Sequence, residues 1–139
     1  MTPLEIFTWP IRVYVEDTDF GGVVFYANYL KYFERARTEL LRSMGIGQQF
    51  MVDTHRVVFV VNHISVDYRL PGRMDDDLLA TAQPKKIGRA SISFTQEIYR
   101  GSELLVSADV GVACVGIDSM RPQAMPEFMR AKLCTQVLG

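Results

Sequence analysis

One strong helical pattern, followed by a series of strand patterns, most constrains how this chain can fold. Apolar side chains recur at three- and four-residue spacing over residues 28–44, as they do on the buried face of an amphipathic helix. Asn28 is placed to cap the start of this helix and Gly45 to end it. The apolar stripe is wide, which predicts a helix that is well buried against a sheet.

Strand patterns lie on both sides of the helix. Apolar residues alternate with polar or aromatic ones over residues 11–16, which predicts a strand that starts just after Pro10. Four further strand candidates follow the helix, at residues 57–68, 77–82, 90–99 and 104–117. The tight turn Arg100-Gly101-Ser102 predicts a hairpin between the last two of them.

A run of strands after a single helix favours an antiparallel sheet over alternating parallel units. The simplest arrangement is the hot-dog architecture, an α+β fold in which a curved antiparallel five-stranded sheet wraps around one long central helix. Residues 1–139 are expected to form this single domain, with residues 127–139 as a short helix or a disordered tail. The outer face and the edge strands need cover that so short a chain does not supply, which predicts a homodimer or homotetramer.

Composition and charge exclude several classes of function. The chain has 15 basic and 16 acidic residues and no basic stripe or tail, so no nucleic-acid partner is expected. No apolar run approaches the roughly 20 residues that span a bilayer, and no signal-peptide pattern is present at the N-terminus. The two isolated cysteines favour a reduced, cytoplasmic setting. His55 and His63 lack partners at ligand spacing, so no metal site is expected.

Residues 16–29 form the segment that packing explains least. Asp17 and Asp19 come just before the glycine pair Gly21 and Gly22, and an apolar stretch then leads into the predicted helix. A carboxylate therefore lies near a helix start, where free backbone N–H groups point outward and can stabilise an oxyanion. From these residues alone, the ordinary interpretation of Asp19 is a turn aspartate.

A family resemblance adds to this interpretation. Its most specific block is residues 15–39, which read Val-Glu-Asp-Thr-Asp-Phe-Gly-Gly-Val-Val-Phe-Tyr-Ala-Asn-Tyr-Leu-Lys-Tyr-Phe-Glu-Arg-Ala-Arg-Thr-Glu. They closely resemble the signature of the 4-hydroxybenzoyl-CoA thioesterase family, and especially its acyl-CoA thioesterase branch associated with the Tol-Pal system. Weaker blocks at residues 66–77, 94–98 and 112–115 extend the resemblance to about Pro126.

The resemblance implies a hot-dog subunit that hydrolyses acyl-CoA thioesters without a metal ion or an organic cofactor. The catalytic carboxylate of the family falls on Asp19, and the backbone N–H that polarises the thioester carbonyl falls on Tyr26. Asp17 matches the first acid of the motif and is expected to orient the loop, while Glu34 matches an acidic helix position that could support the site. Many members carry histidine where this chain has Tyr26, so only the backbone role carries over.

Other residues are candidates for contacts with the substrate. Those expected near the acyl group or the thioester are Gly22, Val23, Asn28, Tyr29 and His63. A small basic cluster between two strands consists of Lys85, Lys86 and Arg89. This cluster is expected either to bind the phosphates of CoA or to be a solvated turn.

Several alternatives stay open at this point. Asp19 could attack the thioester directly and form an anhydride, or it could activate a water molecule as a general base. The carrier of the acyl group could be acyl carrier protein instead of CoA. Rival functions are a hot-dog dehydratase or hydratase, which pairs a histidine with an acid, and a non-catalytic acyl-binding or interaction module.

Overall fold

A computed structural model describes residues 6–137, which form a five-stranded sheet with helices packed beside it. The strands are β1 Phe7–Arg12, β2 Val57–Tyr68, β3 Asp77–Ile87, β4 Ser91–Arg100 and β5 Glu103–Gly116. Their order across the sheet is β1-β3-β4-β5-β2, and all neighbouring strands are antiparallel. The predicted five-stranded antiparallel sheet is confirmed, and β1 and β2 are its edges.

The helical part of the described chain is more divided than expected. The helices are α1 Asn28–Ser43, α2 Gln48–Phe50 and α3 Glu127–Cys134, with a 3-10 turn at Val15–Asp17 and a π-helical turn at Met51–His55. The prediction of a single long helix is therefore met only in part, because α1 has 16 residues and shorter helices accompany it. Residues 127–139, expected to be a short helix or a disordered tail, include α3, while residues 138 and 139 lie outside the described residues.

The core lies between α1 and the inner face of the sheet. α1 packs against β1 and β3. Its most deeply buried side chains, each at most 2% exposed, are Tyr32, Phe33, Ala36 and Leu40. They join one core with buried side chains of the sheet, among them Ile11, Leu78, Ala80, Ile92, Phe94 and Ile98. The wide apolar stripe read from the sequence is thus the buried face of α1.

The two ends of α1 match the sequence prediction differently. Gly45 has a left-handed backbone with φ of 79°, and the next N–H, from Ile46, donates to the carbonyl of Leu41 at 2.8 Å. This is the glycine-ended C-cap that was expected. Asn28, however, is not the N-cap, because Ala27 holds that position and makes no side-chain capping bond. The Asn28 side chain instead bonds to the loop before the helix.

The prediction for β1 is wrong by several residues. β1 is Phe7–Arg12 instead of residues 11–16, and the chain leaves the sheet at Val13, whose N–H donates to the carbonyl of Asp76 at 3.0 Å. Pro10 lies inside the strand and not before it. A strand at the sheet edge tolerates proline, because one side of it needs no N–H donors.

β3 is longer than predicted. It continues past the expected end at residue 82, through Pro84, to Ile87. The pairing register with β4 shifts between Pro84 and Lys86, so the missing N–H of the proline falls beside an irregular part of the ladder.

Gln96 joins α1 to the middle of the sheet and is fully buried. Its amide nitrogen donates to the carbonyl oxygens of Phe33 and Thr81, both at 3.0 Å, and its amide oxygen accepts a 2.9 Å bond from Arg37. Burial lowers the pKa of Arg37, and the charge of Glu34 partly offsets this effect. A buried polar cluster of this kind stabilises only while all its members remain bonded.

Replacing Gln96 by leucine is expected to lower the free energy of unfolding by about 2–4 kcal/mol, because the guanidinium of Arg37 would stay buried without an acceptor. Urea denaturation measures this loss. The exposed Gln49→Leu is the matched control, with an expected change within about 0.5 kcal/mol. Equal stability of Gln96→Leu and wild type would contradict the assigned role.

A partly buried ion pair closes the loop between β2 and β3. Arg100 donates to the Oδ2 atom of Asp76 at 2.8 Å, and the N–H of Arg73 donates to the same oxygen at 2.8 Å. Burial opposes ionisation of Asp76, but these bonds outweigh it, so the pKa of Asp76 lies below its ordinary value of 3.8.

The stabilising effect of Asp76 should therefore depend on pH. A carboxyl whose pKa is depressed by folding contributes fully above its unfolded-state pKa and loses the contribution as pH falls through the folded-state pKa. We expect Asp76→Asn to be less stable than wild type at pH 7, with the gap shrinking once the pH drops below about 3.8. Urea denaturation from pH 7 to pH 2.5 tests this, and a gap that does not change with pH would count against the ion pair.

Candidate active site

Asp17 anchors the loop between β1 and α1. It is only 8% exposed, and its Oδ2 atom accepts the N–H of Tyr14 at 2.9 Å. Its backbone carbonyl accepts two further bonds at 2.9 Å, from the N–H of Phe25 and from the Nδ2 atom of Asn28. The loop is thus tied to the first residue of α1, and the geometry suits the expected role of Asp17 in orienting the loop.

Tyr32 lies near this anchor, on the next turn of α1. Its side chain is fully buried, and its pKa is raised by burial and by a side-chain interaction with Asp17. Within residues 6–137, its hydroxyl is the only buried side-chain polar atom without a hydrogen bond of good geometry. The phenol therefore stays neutral beside the carboxylate of Asp17.

Asp19 lies at the tip of the loop, with an exposed side chain. Its backbone N–H donates to the carbonyl of Val23 at 2.9 Å, and its carbonyl accepts the N–H of Gly22 at 3.0 Å. Its Oδ1 atom accepts the N–H of Gly21 at 2.9 Å, which orients the carboxylate. Gly22 has φ of 74°, a conformation that favours glycine. The tight turn therefore presents an oriented carboxylate to solvent.

The backbone at Tyr26 precedes the first full turn of α1. The N–H groups of Asn28 and Tyr29 donate to the carbonyls of Phe25 and Tyr26, at 2.8 and 3.4 Å. The N–H of Tyr26 itself finds no acceptor among the described residues. Unpaired N–H groups at a helix start carry partial positive charge and suit a developing oxyanion.

An open aromatic cleft of about 260 Å³ lies beside this helix start. Tyr26, Tyr29 and Tyr68 line it, with Tyr68 edge-on to Tyr26 at a ring separation of 6.2 Å. The Tyr68 hydroxyl donates to the carbonyl of Tyr26 at 3.3 Å, and burial raises the pKa of Tyr68. The alternation of residues 57–68 predicts Tyr68 only as a strand residue. Its position at the end of β2, shortly before Pro71 and Gly72, is the sequence feature that could have indicated a place beside the cleft.

The other substrate-contact candidates near the Asp19 turn are brought together. Val23 is half-buried and pairs with Arg73. Tyr29 is buried, and its hydroxyl accepts the N–H of Gly72 at 2.9 Å. Burial also raises the pKa of Tyr29. Asn28 is committed to Asp17, so its side chain supports the loop.

Glu34 and His63 lie farther from the Asp19 turn within one subunit. Glu34 is exposed on α1, accepts a 3.2 Å bond from Thr38, and borders a separate groove with Arg37. His63 lies in the middle of β2 and shares a surface depression with Lys85.

The basic cluster lies at the opposite end of the sheet. Lys85 and Lys86 are at the far end of β3, and Arg89 is in the turn that follows. The distance along β3 from Asp77, beside the Asp19 loop, is roughly 25–30 Å at 3.3 Å per residue. A single subunit therefore does not bring this cluster to Asp19.

Metal ligation and membrane spanning are two further properties of the described residues. Within residues 6–137, no group of three or more His, Cys, Asp or Glu side chains is arranged to hold a metal ion. In the same range, no helix is long and apolar enough to cross a membrane.

Comparison with known proteins places this geometry in a family. The model of the thioesterase superfamily matches residues 21–107, a region that begins two residues after Asp19. An acyl-CoA thioesterase YbgC from Haemophilus influenzae is 42% identical over 125 residues, which cover 90% of this chain and 92% of that protein. A 1,4-dihydroxy-2-naphthoyl-CoA hydrolase from Nostoc punctiforme is 31% identical over 121 residues, which cover 87% and 82% of the two chains.

Solved structures agree with the sequence relatives. A probable thioesterase from Bartonella henselae superposes with a TM-score of 0.84 at 32% identity, covering 88% of this chain and all of that one. The five-stranded sheet, the helix packed on it and the matched residues are thus those of a hot-dog thioesterase. The chain belongs to the thioesterase superfamily.

Proposed function

We propose that this thioesterase hydrolyses acyl-CoA thioesters, with Asp19 as the catalytic carboxylate and the backbone N–H of Tyr26 as the oxyanion donor. The observation that carries the proposal is the shared turn: Asp19 pairs with Val23, and Asp17 pairs with Phe25. Tyr26 comes only three residues after Val23, the partner of Asp19, so the exposed carboxylate and the unpaired N–H lie on one small turn, roughly 10 Å apart at about 3.3 Å per residue.

The chemistry needs both groups. In one route a carboxylate oxygen of Asp19 attacks the thioester carbonyl, the C–S bond breaks, CoA leaves as thiolate, and water hydrolyses the resulting anhydride. In the other, Asp19 takes a proton from a water molecule that attacks the same carbonyl. Both routes build negative charge on the carbonyl oxygen, where the N–H of Tyr26 would stabilise it.

The names of the relatives support a CoA thioester as substrate. Both curated relatives are named for acyl-CoA or aryl-CoA hydrolysis. Membership of the Tol-Pal-associated branch, the identity of the acyl group and acyl carrier protein as an alternative carrier stay predictions. A cytoplasmic location stays a prediction as well.

The dehydratase alternative is not favoured, because the curated relatives are named for thioester hydrolysis and, within one subunit, neither histidine lies beside Asp19. A dehydratase site pairs a histidine with the acid. The ring of His55 packs edge-on against Phe50 and tilted against Phe128, near the end of the sheet that carries α3. His63 lies in the middle of β2, roughly 16 Å along the strand from Tyr68, which borders the aromatic cleft.

We further propose that two subunits pair through β2. This 12-residue strand is an edge, and Val60, Val61, Ile64 and Tyr68 along it are 37–48% exposed. Apolar edge strands of this length favour pairing with another chain. The outer face of the sheet over β2, β4 and β5 carries polar residues instead, namely Ser65, Asp67, Thr95, Glu97, Ser107 and Asp109, so it needs no apolar cover.

An antiparallel β2–β2 pair would also bring the basic cluster of one subunit to the end of the dimer that carries Asp19 of the other. Such pairing reverses the second sheet, so its Val57 end lies beside the Tyr68 end of the first. Residues 85–89 of one subunit then face the same end of the dimer as Asp19 of the other. This arrangement supports the prediction that Lys85, Lys86 and Arg89 contact CoA phosphates, with Glu34 and His63 as candidates near the interface.

Removal of the Asp19 carboxylate should abolish most of the activity. We expect Asp19→Asn to lower kcat by about 10²–10⁴, the range associated with loss of a general base. Release of CoA thiol from short, long and aromatic acyl-CoA substrates measures this. Glu97→Gln, a carboxylate on the outer face of the sheet, is the control and should retain wild-type rates. Wild-type rates in Asp19→Asn would exclude the assignment.

Lysine on the β2 edge should dissociate the proposed dimer. Val61→Lys and Ile64→Lys place charges into the apolar pairing surface, so the molar mass from light scattering should fall toward that of a monomer. Met120→Lys changes an exposed apolar residue in the loop after β5 and should leave the mass unchanged. A wild-type monomer at micromolar concentration would contradict the proposal.

A further inference from the structure

The Asp19 turn is fastened to a neighbouring segment, residues 71–76, between β2 and β3. The N–H of Val24 donates to the carbonyl of Gly72 at 2.8 Å, and the N–H of Met74 donates to the carbonyl of Gly22 at 3.1 Å. Val23 pairs with Arg73 between these two bonds. The middle of this segment therefore fixes the position of the turn that presents Asp19.

Arg100, at the end of β4, holds both ends of the segment. One nitrogen, Nη1, donates to the carbonyl of Pro71 at 3.1 Å and to the Oδ2 atom of Asp76 at 2.8 Å. Its Nε atom donates to Glu103 at 3.2 Å, which orients the guanidinium from the facing strand. The side chains of Arg100 and Asp76 are 27% and 20% exposed, so solvent screens this pair only in part.

The held segment has little freedom to adjust. Asp75 has φ of 69°, a left-handed conformation that is uncommon for a residue other than glycine. A Cβ atom at Gly72 would lie 3.1 Å from Val24 and 3.4 Å from the hydroxyl of Tyr29. Such a backbone persists only where its surroundings hold it, and Arg100 supplies that hold.

We propose that Arg100 is a positioning residue for Asp19. By bonding Pro71 and Asp76 together, it fixes residues 71–76, and through Gly72 and Met74 it fixes the catalytic turn. This inference rests on the proposed hydrolysis by Asp19 and adds a remote residue that nothing in the family motif includes. Loss of Arg100 would let the carboxylate move relative to the N–H of Tyr26, and a displacement of about 1 Å can cost 10²-fold in rate.

The test is a double-mutant cycle on the full-length protein. It comprises wild type, Arg100→Met, Asp19→Asn and the double variant, with kcat and KM measured by thiol release well below each melting temperature. Arg100→Met should lower kcat by about 10- to 100-fold and change KM little. The same substitution in the Asp19→Asn background should have little further effect, because both changes act through one group.

Two further variants separate positioning from folding. Arg42→Met removes an exposed arginine that pairs with Glu39 near the C-terminal end of α1, and it should keep the wild-type kcat. Arg100→Lys keeps the charge without the forked donor and should recover part of the lost rate. If Arg100→Met does not fold, Arg100→Lys and Asp76→Asn replace it in the cycle.

The outcomes distinguish this inference from the proposed function. An unchanged kcat in folded Arg100→Met, even with a lower melting temperature, overturns the positioning role while hydrolysis by Asp19 stands. Effects that multiply fully in the double variant also overturn it, since Arg100 would then act elsewhere. A wild-type protein that hydrolyses no acyl-CoA overturns both.

Discussion

Packing of α1 against the inner face of the sheet is the constraint on which the other features depend. Phe33, Ala36 and Leu40 are excluded from water there, and burial of each large apolar side chain contributes roughly 1.5–3 kcal/mol. Apolar packing alone does not fix the exact position of the helix. The hydrogen bonds of Gln96 to α1 and β3 do, because they form in only one placement of the helix on the sheet. A fixed helix has a fixed start, so the unpaired N–H of Tyr26 points in a set direction.

The chemical groups lie on a loop whose shape comes from its neighbours. Between β1 and α1 the backbone has little regular pairing, and its bonds go to Asp17, to the start of α1 and to residues 71–76. The buried Asp17 holds the turn through its hydrogen bonds, whereas Asp19 lies exposed at the tip of the turn. Loops that are held by a rigid scaffold commonly carry functional groups.

Local patterns in the sequence predicted most elements but not all their limits. The helical period of α1 and the alternation in β4 and β5 show directly which side chains face the core. The predicted limits of these three elements agree with the structure within one or two residues. The predicted limits of β1 are wrong because the alternating residues 11–16 belong partly to a turn. In this turn the N–H of Tyr14 donates to the carboxylate of Asp17, and the N–H of Val13 donates to the carbonyl of Asp76. From the sequence, β3 is predicted to end before Pro84. The strand in fact accommodates this proline because its pairing with β4 shifts register there, and no local pattern reveals such a shift.

The resemblance to a known family singled out Asp19 as the residue to test. The sequence by itself determined the class of fold and the position of the acid-glycine turn before the helix. These are properties of short segments, in which spacing and backbone preference act over a few bonds. Only the tertiary structure decided that Asn28 supports the loop, that Tyr68 borders the cleft, and that the basic cluster lies at the far end of the sheet. It also brought Arg100 to residues 71–76, because such contacts join residues dozens of positions apart and exist only once the strands have paired.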